Sequence, residues 1–165
     1  MALKGDRYEG MTDVSFFMND TSAAKGGIAV LSTGGSGVAL DQSKALVTYA
    51  ASASGTIPVG LLLNDMVNID QTRQHINFHK NEVQKGGKVT VLTQGWVLTD
   101  MITGTPTAGA PAYLTAAGKV TPTQSATGGV VATPPVGRFL STKDEDGYAK
   151  VSVNLPALPN NANGN

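Results

Sequence analysis

The two histidines are the most suggestive chemical feature of the chain, because His75 and His79 are four residues apart. That spacing places both imidazoles on one face of a strand or a helix, where together they could bind Zn²⁺. The site would need a third ligand, for which Asp70 and Glu82 are the nearest candidates in sequence, and no HExxH pattern is present. We interpret the pair as the polar face of a strand and expect no metal site.

Two further segments contain residue types that are found in ligand sites. Asp144, Glu145 and Asp146 are consecutive carboxylates, whereas a calcium loop spreads its carboxylates over about a dozen residues. The Asp-Gly step that follows favours a hairpin turn instead. Residues 34–37, Gly-Gly-Ser-Gly, resemble a phosphate-binding loop in glycine content but lack the Lys and Ser/Thr that follow in one. We expect both segments to be surface turns.

The residues needed for common catalytic mechanisms are scarce. The chain contains no cysteine, which excludes a thiolate nucleophile and a disulfide, and no serine lies in a GxSxG elbow. A serine hydrolase also needs a base beside its nucleophile, and both histidines lie in one segment. Carboxylate chemistry would need neither residue type. We expect no catalytic residues, no cofactor and no enzymatic activity.

The charge balance argues against two classes of partner. Lys and Arg total 12, as do Asp and Glu, so the net charge is zero. A neutral chain lacks the cationic surface that binds nucleic acid or an anionic membrane. The N-terminus has no apolar core of signal-peptide length, and no segment reaches about 18 consecutive apolar residues. We expect a protein that is made in a cytoplasm and binds neither nucleic acid nor membrane.

The elements that position these residues are predicted to be strands. Residues 88–98 alternate between apolar and polar side chains, and so do Val151, Val153 and Leu155. The 20 glycines and 8 prolines supply frequent turns. No convincing amphipathic helix of ten or more residues is present. Many short strands at close spacing predict an all-β sandwich or barrel.

Two similar segments support a sheet that bends. Pro58-Val59-Gly60 and Pro135-Val136-Gly137 each begin an apolar run. A glycine beside a β-branched residue at the start of a strand permits a sharp bend or a close backbone approach. Gly95 interrupts the alternation of residues 88–98, which predicts a bulge before Trp96.

We divide the chain into an N-terminal arm (residues 1–20), a β-rich body (21–157) and a flexible C-terminal tail (158–165). The arm carries Phe16 and Phe17, whose side chains would face opposite ways in a strand. Trp96 is the single tryptophan, and it suits an interface or the core equally. We name Phe16, Phe17 and Trp96 as candidate residues of an interface with a partner protein or a second subunit.

Residues 59–155 resemble the capsid decoration (cement) proteins of tailed bacteriophages, including those of cyanophages. The resemblance depends on a Lys-Gly-Gly-Lys-Val turn at residues 85–89, on Ala108-Gly109-Ala110-Pro111-Ala112-Tyr113-Leu114, and on Val-Gly-Arg-Phe-Leu at residues 136–140. It covers about 60% of the chain. These are turn and strand motifs, and none of them is catalytic.

The resemblance implies a compact β-barrel or β-tulip-like domain with an extended N-terminal arm. It implies a virion protein that binds the major capsid protein on the outer capsid surface. There it would cement neighbouring capsomers and stabilise the expanded head, commonly as a trimer, after synthesis in the cytoplasm of the host bacterium. We expect residues 1–20 to serve this attachment more than folding.

Three other functions remain open from the residues. The sequence alone does not distinguish a tail or fibre-associated virion protein from a capsid protein. An extracellular carbohydrate-binding module would need more exposed aromatic residues than four Phe, four Tyr and one Trp can supply. A cupin-like hydrolase would need metal ligands beyond His75 and His79. The major capsid protein itself is excluded, because its usual fold requires a long helix and a longer chain.

Overall fold

The protein is described by a computed structural model over residues 3–32, 45–63, 82–124 and 135–155. These residues contain one short 3₁₀ helix, Ala116–Gly118, and no α-helix. The all-β prediction is confirmed. The strands are β1 (Leu3–Asp13), β2 (Phe17–Met18), β3 (Ser22–Ala24), β4 (Ile28–Ser32), β5 (Leu46–Thr48), β6 (Pro58–Leu62), β7 (Glu82–Gln84), β8 (Val91–Thr99), β9 (Pro111–Leu114), β10 (Val120–Thr121), β11 (Pro135–Phe139) and β12 (Ala149–Asn154).

Ten of these strands form one sheet. Its hydrogen-bonded path runs β10-β9-β11-β12-β8-β6-β4-β5-β2, and β1 joins it by pairing with β8. All its strand pairs are antiparallel except β2 with β5. Strands β3 and β7 form a separate two-stranded sheet. Among the described residues β10 and β2 end the path, so the large sheet is not closed into a barrel.

Strand β8 is the centre of the sheet because both of its edges are occupied. Residues 94–99 pair with β12 on one edge and residues 91–92 pair with β6. Strand β1 runs antiparallel along the same residues, from Leu3 opposite Thr99 to Asp13 opposite Val91, and so takes the other edge. Residues 3–13 of the predicted arm are therefore a strand of the large sheet. The division into arm, body and tail stays a prediction.

The larger core cluster lies on one face of this sheet. Val97, Val151 and Phe139 are neighbours across β8, β12 and β11, and all three are fully buried. The predicted inward face of the last strand is confirmed, since Val151, Val153 and Leu155 all belong to this cluster. A smaller cluster, which includes Met18, Val47, Leu62, Val83, Val89 and Val91, packs where β2, β5, β6 and β7 approach the start of β8.

A buried polar group ties β4, β5 and the 3₁₀ helix together. The Tyr49 hydroxyl donates a hydrogen bond to the Ala24 carbonyl and accepts one from Gly27 N–H at 3.2 Å. The Asp20 carboxylate accepts from Tyr49 N–H at 2.6 Å. The Tyr49 ring lies so close to Gly118 that an added Cβ there would be 2.7 Å from it. Tyr49 as a whole is half-buried.

This environment predicts a pH-dependent stability. Burial raises the pKa of Tyr49 above its ordinary value; the Gly27 N–H opposes the rise and the Asp20 charge adds to it. In the unfolded chain tyrosine ionises at about pH 10. The folded protein keeps Tyr49 neutral at that pH, because its pKa is raised. The free energy of unfolding should therefore fall as the pH rises above about 10. Tyr49→Phe should cost about 1 kcal/mol at neutral pH.

The same substitution should also flatten the alkaline loss of stability. Denaturant unfolding followed between pH 7 and 11 checks both effects. Tyr8→Phe, which alters an exposed ring, is the control for the removal of a phenol. Equal alkaline slopes for the wild-type protein and Tyr49→Phe would contradict the assignment.

Candidate functional site

The large sheet presents an outward row of side chains next to its buried row. Trp96 on β8 lies opposite Ser152 on β12, and Ser152 lies opposite Arg138 on β11. Successive side chains of a strand point to opposite faces, so this row faces away from the larger core cluster. Its members are exposed or half-exposed.

The row extends across five strands. Tyr8 on β1 lies opposite Trp96, and Pro111 on β9 lies opposite Arg138. Directly opposed residues of an antiparallel pair have Cβ atoms about 4.5–5.5 Å apart, so Tyr8 and Trp96 begin side by side on this face. The Tyr8 side chain is 59% exposed. We call this surface the Trp96 face and define it by Tyr8, Trp96, Ser152, Arg138 and Pro111, with Leu98 and Lys150 in the next outward row.

Trp96 lies on the surface rather than in either core cluster. The Lys150 ammonium is 3.4 Å from the centroid of the indole ring, which is a close cation–π contact. Lys150 pairs with Leu98 and is therefore a diagonal neighbour of Trp96 across the two strands. The contact fixes the indole against the sheet and places a positive charge on it.

Two further exposed apolar side chains lie near this face, and Val14, after β1, is exposed as well. Met11, which lies opposite Gln94, is 58% exposed, and Leu140, just beyond β11, is 43% exposed. A separate exposed pair, Leu31 and Ile57, lies on another part of the molecule, where Leu31 N–H donates to the Ile57 carbonyl at 3.0 Å.

The other two candidate interface residues lie apart from Trp96. Phe16 is half-buried and packs against the smaller core cluster. Phe17 on β2 is half-buried, with the Lys88 ammonium 5.8 Å from its ring centroid. Both lie beside the segment that leads into β8, whereas Trp96 is in the second half of that strand. The three residues therefore do not form one surface, and their roles as interface residues stay predictions.

Several residues considered for chemistry lie outside the described part of the chain. They are Asp70, His75, His79 and residues 34–37, and the side chain of Glu82 is likewise not described. Among the described residues, no group of three or more His, Asp or Glu side chains is arranged to hold a metal ion.

The acidic triplet forms the turn between β11 and β12. Asp144 accepts a hydrogen bond from Tyr148 N–H at 2.7 Å, and Gly147 has a left-handed φ of 86°. The predicted hairpin is confirmed. The Lys4 ammonium of β1 donates to Asp144 at 2.9 Å and lies over the Tyr148 ring, 4.3 Å from its centroid. The Lys4 hydrogen bond lowers the pKa of Asp144. The ion pair also links this turn to the start of β1.

Sequence reasoning missed most of the Trp96 face. Tyr8 was assigned to a polar arm, and Arg138 and Lys150 were not singled out. A signal was available in the last strand, because Lys150 and Ser152 alternate with the buried Val151 and Val153. The partner of Tyr8 could not be inferred, because 88 positions separate it from Trp96 along the chain.

No helix in the described segments is long and apolar enough to span a membrane. The described residues form an all-β fold whose large sheet has exposed and half-buried side chains on its outer face. Residues 5–154 match the family described as structural cement protein (E217 gp24/Pam3 gp6). The chain belongs to this family of bacteriophage virion proteins, which confirms the resemblance found in the sequence. A comparison with curated proteins gave no match.

Proposed function

We propose that the protein binds the outer surface of the phage capsid and cements neighbouring capsomers, which stabilises the expanded head. Its direct partner is the major capsid protein. It acts without catalysis, cofactor, nucleic acid or membrane. It is made in the cytoplasm of the host bacterium and joins the virion as a homo-oligomer, for which a trimer is favoured.

The observation that carries this proposal is the aromatic pair on the outer face of the sheet, where Tyr8 is exposed and Trp96 is half-buried. Tyr8 and Trp96 are adjacent on a face that a monomeric protein would ordinarily make polar. Aromatic side chains held rigidly on a surface contribute a large share of the binding energy of protein interfaces. Membership of a cement-protein family supplies the class of partner that such a face would meet.

The physical effect of cementing follows from mass action. A protein that binds only the intact shell stabilises that shell, by about 2.7 kcal/mol per site when its free concentration is about 100 times Kd. The shell carries many copies of each subunit, so even a modest contribution per site is repeated over the lattice. The increase in stability should therefore be large for the particle although each contact is weak.

This effect can be measured by the release of DNA on heating. Particles that lack the protein should release DNA at a lower temperature than the same particles after the purified protein is added back. Particles incubated with buffer alone are the control for handling. Release at the same temperature from bare and decorated particles would contradict the proposal and would favour a tail or fibre-associated role.

A further inference from the structure

Strand β1 is paired along one edge only. Its register with β8 runs from Leu3 to Asp13, and no other strand that the structure describes pairs with β1. Residues 5–6 and 8–12 are exposed on both faces of the strand, and Leu3 is its one buried residue. The outer edge of β1 therefore presents backbone donors and acceptors to which another strand can be added.

The charges and bulges of β1 restrict which strand can be added. Five charged residues lie in β1; they are Lys4, Asp6, Arg7, Glu9 and Asp13. Charged side chains and bulges on an edge strand discourage pairing with arbitrary strands, so a partner has to match their order. The register with β8 shifts between Leu3 and Arg7 and again beyond Glu9, whereas Arg7, Tyr8 and Glu9 pair regularly. An added strand is therefore best accommodated at these three residues.

The sequence of β1 is complementary to itself about Tyr8. Tyr8 is the midpoint of β1, so two antiparallel copies of the strand overlap along their full length when their Tyr8 residues lie opposite each other. In that register Arg7 of each copy lies opposite Glu9 of the other. Within one chain Arg7 and Glu9 already form an ion pair along the strand. Two copies would therefore place four charges of alternating sign in a square, and opposite charges directly across two strands stabilise their pairing.

The remaining charges of β1 do not oppose this register. The other directly opposed pairs combine a charged residue with an uncharged one; they are Lys4 with Thr12, Asp6 with Gly10, and Asp13 with Leu3. The Asp13 carboxylate accepts hydrogen bonds from Ser15 of its own chain. The three carboxylates of residues 144–146 lie in the turn between β11 and β12, strands that β8 separates from β1. One of them, Asp144, is bonded to Lys4.

We infer that two copies of this chain associate through the outer edges of their β1 strands, antiparallel about a two-fold axis at Tyr8. The large sheet of one copy then continues into that of the other. The two exposed Tyr8 side chains meet on the outer face, each beside Trp96 of its own chain. A two-fold contact closes after two copies, so it is separate from any contact that forms a trimer. It adds to the proposed function a contact between neighbouring copies of the protein.

Charge variants at the centre of β1 test this contact through the association of the purified full chain, measured by sedimentation velocity as a function of protein concentration. Arg7→Glu places a carboxylate opposite Glu9 of the second copy, and Glu9→Arg places a guanidinium opposite Arg7. Each variant alone should therefore dimerise about tenfold more weakly than the wild-type protein. An equimolar mixture of the two variants should recover the dimer, because every opposed pair at the centre then combines opposite charges.

Two further variants serve as controls. The double variant Arg7→Glu with Glu9→Arg exchanges the two charges, keeps the ion pair within the chain, and should dimerise within about twofold of the wild-type protein. Lys85→Glu makes the same change in net charge as Arg7→Glu at an exposed turn, and it should also leave dimerisation within about twofold. The melting temperature of each variant verifies that it is folded.

A wild-type chain that stays monomeric at every concentration would overturn the inference. So would a dimer that both single variants retain, or one that a mixture of the two folded variants fails to restore. Binding to shells that lack the protein is measured separately by co-sedimentation. Failure of the wild-type protein to bind those shells would refute the proposed function and leave the β1 contact standing.

Discussion

Gly137→Ala should strongly destabilise the protein. Gly137 lies opposite Val153 on β12 and opposite Ala112 on β9, so strands hold it on both sides. A Cβ at this position would overlap the carbonyl oxygen of Ser152 and lie 2.8 Å from its carbon. Backbone paired in a central strand cannot move aside as a flexible side chain can. We expect a loss of about 3 kcal/mol or more, a large part of the roughly 5–15 kcal/mol that stabilises a domain.

Gly5→Ala is the matched control for this substitution. Gly5 lies in β1, and a Cβ there would have no atom within 4 Å. Its free energy of unfolding should change by about 0.5 kcal/mol or less. Denaturant unfolding followed by circular dichroism measures both variants. A Gly137→Ala protein as stable as Gly5→Ala would show that β11 and β12 do not approach as closely as described.

Deletion of residues 1–12 should destabilise the free protein strongly, which reverses the expectation from the sequence that this segment serves attachment rather than folding. Strand β1 covers one edge of β8 along its full length. Leu3 is buried in the larger core cluster at 1% exposure. The deletion would leave the backbone hydrogen-bonding groups along one edge of β8 without their partner strand. Such an exposed strand edge favours aggregation.

Point variants within β1 separate burial from strand pairing. Leu3→Ala should cost about 2–5 kcal/mol, as other large-to-small core substitutions do. Met11→Ala, at an exposed position of the same strand, should change the stability by about 0.5 kcal/mol or less. The deletion should cost more than Leu3→Ala. A truncated protein with an unchanged melting temperature would restore the expectation that this segment serves attachment more than folding.

The sequence predicted the strands and their faces well where the information is local. Residues 88–98 were predicted as a strand, and the structure has β8 at Val91–Thr99. Pro58–Leu62 forms β6 within the predicted apolar run, and its Gly60 makes the close approach that its position indicated, since a Cβ there would be 2.8 Å from Val91. Side-chain alternation and glycine placement depend on neighbours a few residues away, so they can be read along the chain.

The sequence could not decide which outward face remains uncovered. Trp96 suited the core and the surface equally until the layers were assembled, because alternation assigns side chains to two faces but does not say which face another layer covers. The alternation of a strand likewise predicted that the Phe16 and Phe17 side chains face opposite ways. In the structure Phe16 packs against the smaller core cluster, and the Phe17 ring lies near the Lys88 ammonium.

The sequence by itself determined that this protein is all-β, where its main strands and turns lie, and to which family it belongs, because each depends on short segments of local pattern. Tertiary structure alone decided that β1 occupies the outer edge of β8 and that Tyr8, Trp96, Arg138 and Lys150 share one surface. These contacts join residues separated by tens of positions, and their formation depends on which strand edges and faces the rest of the chain leaves open.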